Sequence, residues 1–234
     1  MLESVLAMRW DDVLFAHWRA DPETVTARLP PSLSLDTFDG TAYLGVVGFE
    51  MQDIRPRGAP VGLTFPEVNL RTYVEADGKP GIYFFNLDAD DPLGVFVARK
   101  LFRLPYYRAK MAVERDGDEV TLQSRRPDGR AAAFDATYSP DGDAVTPESG
   151  TLEHFLTERY RFYTAADGGR LYYGDIQHAP WSVAPATATI RENDLFTVNG
   201  FETPAEEPLC HYSPGVDVTA DVLRRSKRAP AEAD

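Results

Sequence analysis

The sequence predicts a mainly antiparallel α+β fold: a curved sheet carrying a few packed helices. Three observations point there. Aspartate–glycine pairs recur at Asp39-Gly40, Asp77-Gly78, Asp116-Gly117, Asp128-Gly129, Asp141-Gly142 and Asp167-Gly168, and such pairs tolerate the positive φ that tight hairpins need. Between them lie β-branched and aromatic runs of strand length, a spacing that indicates hairpins rather than βαβ crossovers. Helical signatures are short and few.

In chain order, Phe15-Ala16-His17-Trp18 reads as a core strand. Asp21 then caps a short helix with Pro22 at its first position, and Leu29-Pro30-Pro31 stops it. TAYLGVVGFEM from Thr41, VNLRTYV from Val68 and GIYFFNL from Gly81 read as successive strands. Asp91-Pro92 opens a second helix over LGVFVARKLFR, which Pro105 ends. Thr151 caps a third, LEHFLTERY, with Leu152, Phe155, Leu156 and Tyr160 near helical spacing. Arg159 at its end favours the helix dipole, and His154 with Glu158 forms an i,i+4 pair. LYYGDIQH from Leu171 is a further strand. The organisation expected is one domain over residues 1–223 and a polar, disordered tail over 224–234.

Composition excludes several classes. The 234 residues carry a formal net charge of -13, and only four of the 24 basic residues are lysines: Lys79, Lys100, Lys110 and Lys227. Such a chain lacks the basic face that nucleic acid or an anionic membrane surface requires, so neither is expected as a partner. At 43% hydrophobic and 12% aromatic it is too apolar for disorder. The acidic, lysine-poor balance fits a salt-loving source, where salt screens self-repulsion, and equally an ordinary acidic protein. Cys210 is the sole cysteine. With no signal-peptide pattern and no apolar run of ~18 residues, a cytoplasmic location is expected.

The strand Glu67–Val74 is the most informative for chemistry. Alternation places Val68, Leu70, Thr72 and Val74 on one face, and Glu67, Asn69, Arg71 and Tyr73 on the other. An acid, an amide, a guanidinium and a phenol in one row make a wall for a small polar or anionic ligand, if that face looks into a cavity. GIYFFNL, apolar on both faces, supports a sheet covered on both sides. Alternation after Pro105 groups Tyr106, Arg108 and Lys110, and a buried Lys110 beside a cation would suit imine chemistry. An edge lysine on the surface is the commoner case. His178, ahead of Pro180 and Trp181, reads either as a general base in an aromatic pocket or as a core histidine holding a bend. There is no phosphate-binding glycine loop and no nucleophile elbow. The four histidines and Cys210 lack metal-ligand spacing, so no metal and no cofactor are expected.

The run LFAHWRADPETVTARLPPSLSLDTFDGTAYLGVVGFEM resembles the opening of the YqjF-like family of conserved proteins of unknown function. FPEVNLRTYV, GIYFFNLDA, LEHFLTERYRFY and HAPW extend the resemblance from about Trp10 to Trp181. That family is similar to the acetoacetate decarboxylase-like superfamily, which implies a closed, cone-like antiparallel sheet around an internal cavity. In acetoacetate decarboxylases a proline precedes two lysines, one of which forms a Schiff base. Here Leu104-Pro105-Tyr106-Tyr107 puts tyrosines at both positions, and a phenol forms no imine. The resemblance therefore implies the fold without Schiff-base decarboxylation.

The leading expectation is a small-molecule-binding cavity lined by Glu67, Asn69, Arg71, Tyr73 and Tyr106. Arg71 would anchor a carboxylate and pair with Glu67 in its absence, so that losing Arg71 would also break a buried pair. An enzyme on a small carbonyl or carboxylic compound, working without an imine, is the alternative, with Glu67 or His178 as base and Tyr106 or Arg71 stabilising negative charge. A third possibility is a homo-oligomer in which the polar strand face is the subunit interface.

Overall fold

The computed structural model describes residues 4–92, 102–127, 131–166 and 169–226. The helix expected after Pro92, the Asp128-Gly129 and Asp167-Gly168 turns and most of the expected tail lie outside these residues. Arg224–Arg225 pairs with the sheet and Ser226 is buried, so part of the segment assigned to the tail is structured.

The strands are β1 (Leu6–Ala20), β2 (Ser34–Leu35), β3 (Ala42–Pro56), β4 (Leu63–Ala76), β5 (Lys79–Ala89), β6 (Tyr106–Arg108), β7 (Lys110–Asp116), β8 (Glu119–Arg125), β9 (Ala133–Pro140), β10 (Arg161–Ala166), β11 (Arg170–His178), β12 (Ala184–Asn193), β13 (Leu209–Ala220) and β14 (Arg224–Arg225). Among the described residues three short helices join them: α1 (Pro22–Thr26), α2 (Leu152–Thr157) and α3 (Leu195–Val198). The Asp21 and Thr151 side chains cap α1 and α2, accepting from the backbone of Thr24 and His154. Among the described residues no helix is long and apolar enough to cross a membrane.

Seven strands close into a ring in the order β4-β3-β1-β13-β11-β10-β5, with β5 returning to β4. Its pairings are antiparallel except β10 with β5; β6 adds a second parallel pair on β5. The β4–β5 hairpin turns at Asp77 and Gly78, both at positive φ (55° and 69°), as a two-residue hairpin demands. From β13 the sheet runs on through β12, β9, β8 and β7, which form an outer layer.

Strand alternation then sorts the core. Leu14, Leu44, Val46, Val68 and Leu70 look outward from the ring and meet Val120, Leu122, Phe134 and Ala136 of the outer layer. Phe15, Val47, Phe49, Phe65 and Leu87 look inward. Both faces of β4 and β5 are covered, as their near-continuous apolar pattern requires.

Candidate functional site

Within the ring is a cavity of about 480 Å³, lined mostly by apolar side chains. Three rows across neighbouring strands build its polar wall. Glu67 stands between Phe49 and Ala89, Asn69 between Val47 and Leu87, and Arg71 between Gly45 and Phe84. The β-bulge beside Arg71 places its extra residue on β5, so β4 keeps its alternation and all three polar side chains face inward. Glu67, Asn69, Arg71 and Tyr106 line the cavity, and they are 3%, 2%, 7% and 9% exposed.

The Tyr106 phenol donates to Glu67 Oε2 at 2.6 Å, and Asn69 Nδ2 donates to Oε1 at 3.3 Å. Burial pushes the Glu67 carboxyl up to about 7 with help from the Asp88 charge, against the downward pull of those two hydrogen bonds and of Arg71. The expected Glu67–Arg71 ion pair is not formed, because the Glu67 oxygens are turned to Tyr106 and Asn69. The Arg71 guanidinium instead lies 5.6 Å from the centre of the Phe15 ring, and its Nε has no partner among the described residues. The other arginines of the cavity differ: Arg55 pairs with Asp53, Arg159 with Asp36 at 2.7 Å, and Arg161 with Asp175 at 2.6 Å.

Tyr73, expected to line the cavity, is fully buried behind it. Its hydroxyl donates to Leu156 O at 2.7 Å and lies 2.7 Å from His17 Nε2. A phenol has one proton, so His17 Nε2–H donates to the Tyr73 oxygen. Burial, with the Arg71 charge, pulls His17 well below its usual value and keeps the ring neutral. Gly45 makes this contact possible: a Cβ there would lie 2.8 Å from His17 Cδ2. The row Glu67, Asn69, Arg71, Tyr73 thus divides, with three residues facing the cavity and the fourth tying β4 to β1 and α2.

Other expectations shift for local reasons. Lys110 shares no face with Tyr106: the chain leaves the ring at Ala109, and Lys110 opens β7 of the outer layer, exposed. Tyr107 faces away from Glu67, with the Arg126 guanidinium 4.0 Å above its ring. His154 and Glu158 do not pair. Helix α2 stops at Thr157, and the Glu158 carboxylate accepts from Trp181 N at 2.7 Å and from the Tyr160 hydroxyl. Arg159 donates Nε–H to Phe155 O, so it does close the helix end, and it also lines the cavity. His178 lines the cavity as well: its Nδ1 lies 2.7 Å from Ala179 O, and its ring stacks on Tyr160 at 4.4 Å. Trp10, Thr157 and Arg161 also line the cavity; they lie outside the β4 row, and only the spatial closure of the ring brings them in.

A seven-strand ring around such a cavity, flanked by an outer sheet layer, is the fold of the acetoacetate decarboxylase-like proteins. The enduracididine biosynthesis enzyme MppR, solved in complex with pyruvate, superposes with a TM-score of 0.67 at 15% identity, covering 96% of this chain and 91% of that one. Acetoacetate decarboxylase from Legionella pneumophila gives 0.66 at 15% identity, over 96% and 89%. At that identity the likeness shows the fold alone. The chain belongs to the DUF2071 family of uncharacterized conserved proteins, whose model matches residues 7–217. The uncharacterized protein YqjF of Bacillus subtilis (strain 168) is 43% identical over 224 residues, 94% of this chain and 92% of that protein.

Proposed function

We propose that the cavity binds a small organic acid whose carboxylate sits on Arg71 and whose apolar body fills the ring. The observation that carries this reading is the solitary charge of Arg71. It is buried in the cavity wall and has no ion pair among the described residues, whereas Arg55, Arg159 and Arg161 each have an acid. A buried cation without an anion costs several kcal/mol, and a carboxylate offset by two parallel hydrogen bonds is its natural complement. Asn69 Oδ1, also without a partner among the described residues, is available to a donor on the ligand. The structural neighbour MppR is itself complexed with pyruvate, which supports a small acid as the ligand class. Among the described lining residues there is no lysine, and Tyr106 holds the position where the resemblance to decarboxylases would put one. Imine chemistry has no support here.

Glu67 ties binding to pH. Its carboxyl is neutral below about 7, and above that an ionised Glu67 opposes an arriving carboxylate. Affinity for pyruvate, hexanoate or phenylacetate, measured by calorimetry, is expected to fall above pH 7 by up to about tenfold per unit. The fall should vanish in Glu67→Gln. The same group acts on the empty protein. Because its folded value lies above the unfolded one, its contribution favours folding below the unfolded value and is lost as pH rises. Roughly 3 kcal/mol disappears between pH 4.5 and 7, and Glu67→Gln should recover it at pH 8 in urea denaturation. Uptake of none of these acids at any pH would end the binding reading.

The hydrogen bond between Tyr106 and a carboxyl poised near neutrality favours a second reading, proton transfer at a carbon beside a carbonyl. Pyruvate incubated with the protein in D2O would then exchange its methyl hydrogens faster than buffer does, and Glu67→Gln would not support the exchange. An unchanged NMR signal limits the site to binding.

A further inference from the structure

We infer that the cavity has a second polar end, formed by Trp10 Nε1 and His178 Nε2, and that the ligand carries a hydroxyl group to meet it. This rests on the acid-binding reading above and adds the other half of the molecule. Trp10 and His178 both line the cavity, and both of these nitrogens are buried without a partner among the described residues. Their hydrogen-bonding characters are fixed and opposite. An indole nitrogen only donates. His178 Nδ1 sits 2.7 Å from the Ala179 carbonyl, which only accepts, so Nδ1 carries a proton and Nε2 is the nitrogen left to accept. One donor and one acceptor suit a hydroxyl, which does both.

The two rings are held in place by their neighbours. Trp181 lies against both, its ring centre 6.1 Å from Trp10 and 5.2 Å from His178. The Trp181 backbone N–H is fixed by Glu158, and the same carboxylate holds the hydroxyl of Tyr160, on which His178 stacks. The pair stands at the other end of a line of contacts from Arg71: the guanidinium lies 5.6 Å from the Phe15 ring, Phe15 lies 5.1 Å from Trp181, and Trp181 touches both rings of the pair. Between the two ends Glu67 and Asn69 stand on β4, and the rest of the wall is mostly apolar and aromatic, with Phe15 edge-on to Trp181. The ligand class that matches is an elongated hydroxy acid with an apolar, aromatic body.

Paired probes test this without knowing the natural ligand: phenylacetate against 4-hydroxyphenylacetate, and 3-phenylpropionate against 3-(4-hydroxyphenyl)propionate. By calorimetry at pH 7.5, above the ordinary imidazole range, the hydroxylated member of at least one pair should bind about tenfold tighter, the size of two net hydrogen bonds. Trp10→Phe and His178→Phe keep an aromatic ring and should each erase most of that advantage, read as the ratio of the two affinities within a pair measured on the same variant. Equal affinity within both pairs for the parent, with the plain acids still bound, overturns this inference and leaves the Arg71 reading intact. An advantage that survives both substitutions overturns it too, by placing the hydroxyl elsewhere. Binding of neither member of either pair removes both readings together.

Discussion

Arg71→Met is expected to abolish acid binding while leaving the empty protein at least as stable as the parent. Losing one side of a buried charge contact costs roughly 2–5 kcal/mol of binding, at least about 30-fold in affinity. The stability half follows from geometry. From sequence, Arg71 reads as one half of a pair with Glu67, so its loss would strand a buried carboxylate. In the structure Glu67 is held by Tyr106 and Asn69, and the Arg71 guanidinium faces the Phe15 ring and the neutral Tyr73 hydroxyl, with no carboxylate paired to it among the described residues. Methionine keeps most of the apolar stem and removes an uncompensated charge, a change that is neutral or favourable in a core. Melting without ligand and calorimetry with phenylacetate measure the two halves. A variant that melts far below the parent would mean that Arg71 has a structural partner, and the anion-site reading would fall with it.

Arg126→Met should do the opposite and destabilise the fold by about 3–5 kcal/mol. Arg126 is as buried as Arg71 but fully paired: its Nε and an Nη meet the two Asp88 oxygens at 2.8 and 2.6 Å. Asn86 also donates to Asp88, and Asn199, just past α3, donates to Asn86. The cluster fastens β5 of the ring to the outer layer, and removing the guanidinium leaves the Asp88 carboxylate buried and unpaired. Urea denaturation gives the loss directly, and the double variant Asp88→Leu/Arg126→Met should regain much of it. A loss under about 1 kcal/mol would show that the pair does not act as a unit. Two buried arginines thus have opposite expected effects on stability, decided by whether a carboxylate faces them.

Much of the wall was legible in the sequence because β4 obeys a simple rule. Its period-2 pattern puts Glu67, Asn69 and Arg71 on one face, and the one irregularity beside them falls on β5. Tyr73 obeys the same period, yet its role is set by His17, a residue 56 positions earlier that reaches it over Gly45. No local pattern reports that meeting. Extending the alternation from Tyr106 to Lys110 fails because the chain changes layers at Ala109. The helix pairing of His154 with Glu158 fails because α2 ends one residue too soon. Hairpin signals predict antiparallel neighbours, so the parallel contacts of β5 with β10 and β6 are invisible to them. Those contacts bring Tyr106 and Arg161 to the cavity.

Closure of the ring depends on β1 meeting β13, which pairs Leu6 with Ala220. On a ribosome adding 5–20 residues per second, the segment ending at Ala76 waits on the order of ten seconds before its last neighbour is synthesised. Throughout that interval the inward faces of β1, β3 and β4, apolar apart from a few charged and polar groups, have nothing to enclose. Long-range pairing of this kind also folds slowly once the chain is complete. Ring closure is therefore the last event of synthesis, and the newborn chain carries its apolar inward faces unpaired until then.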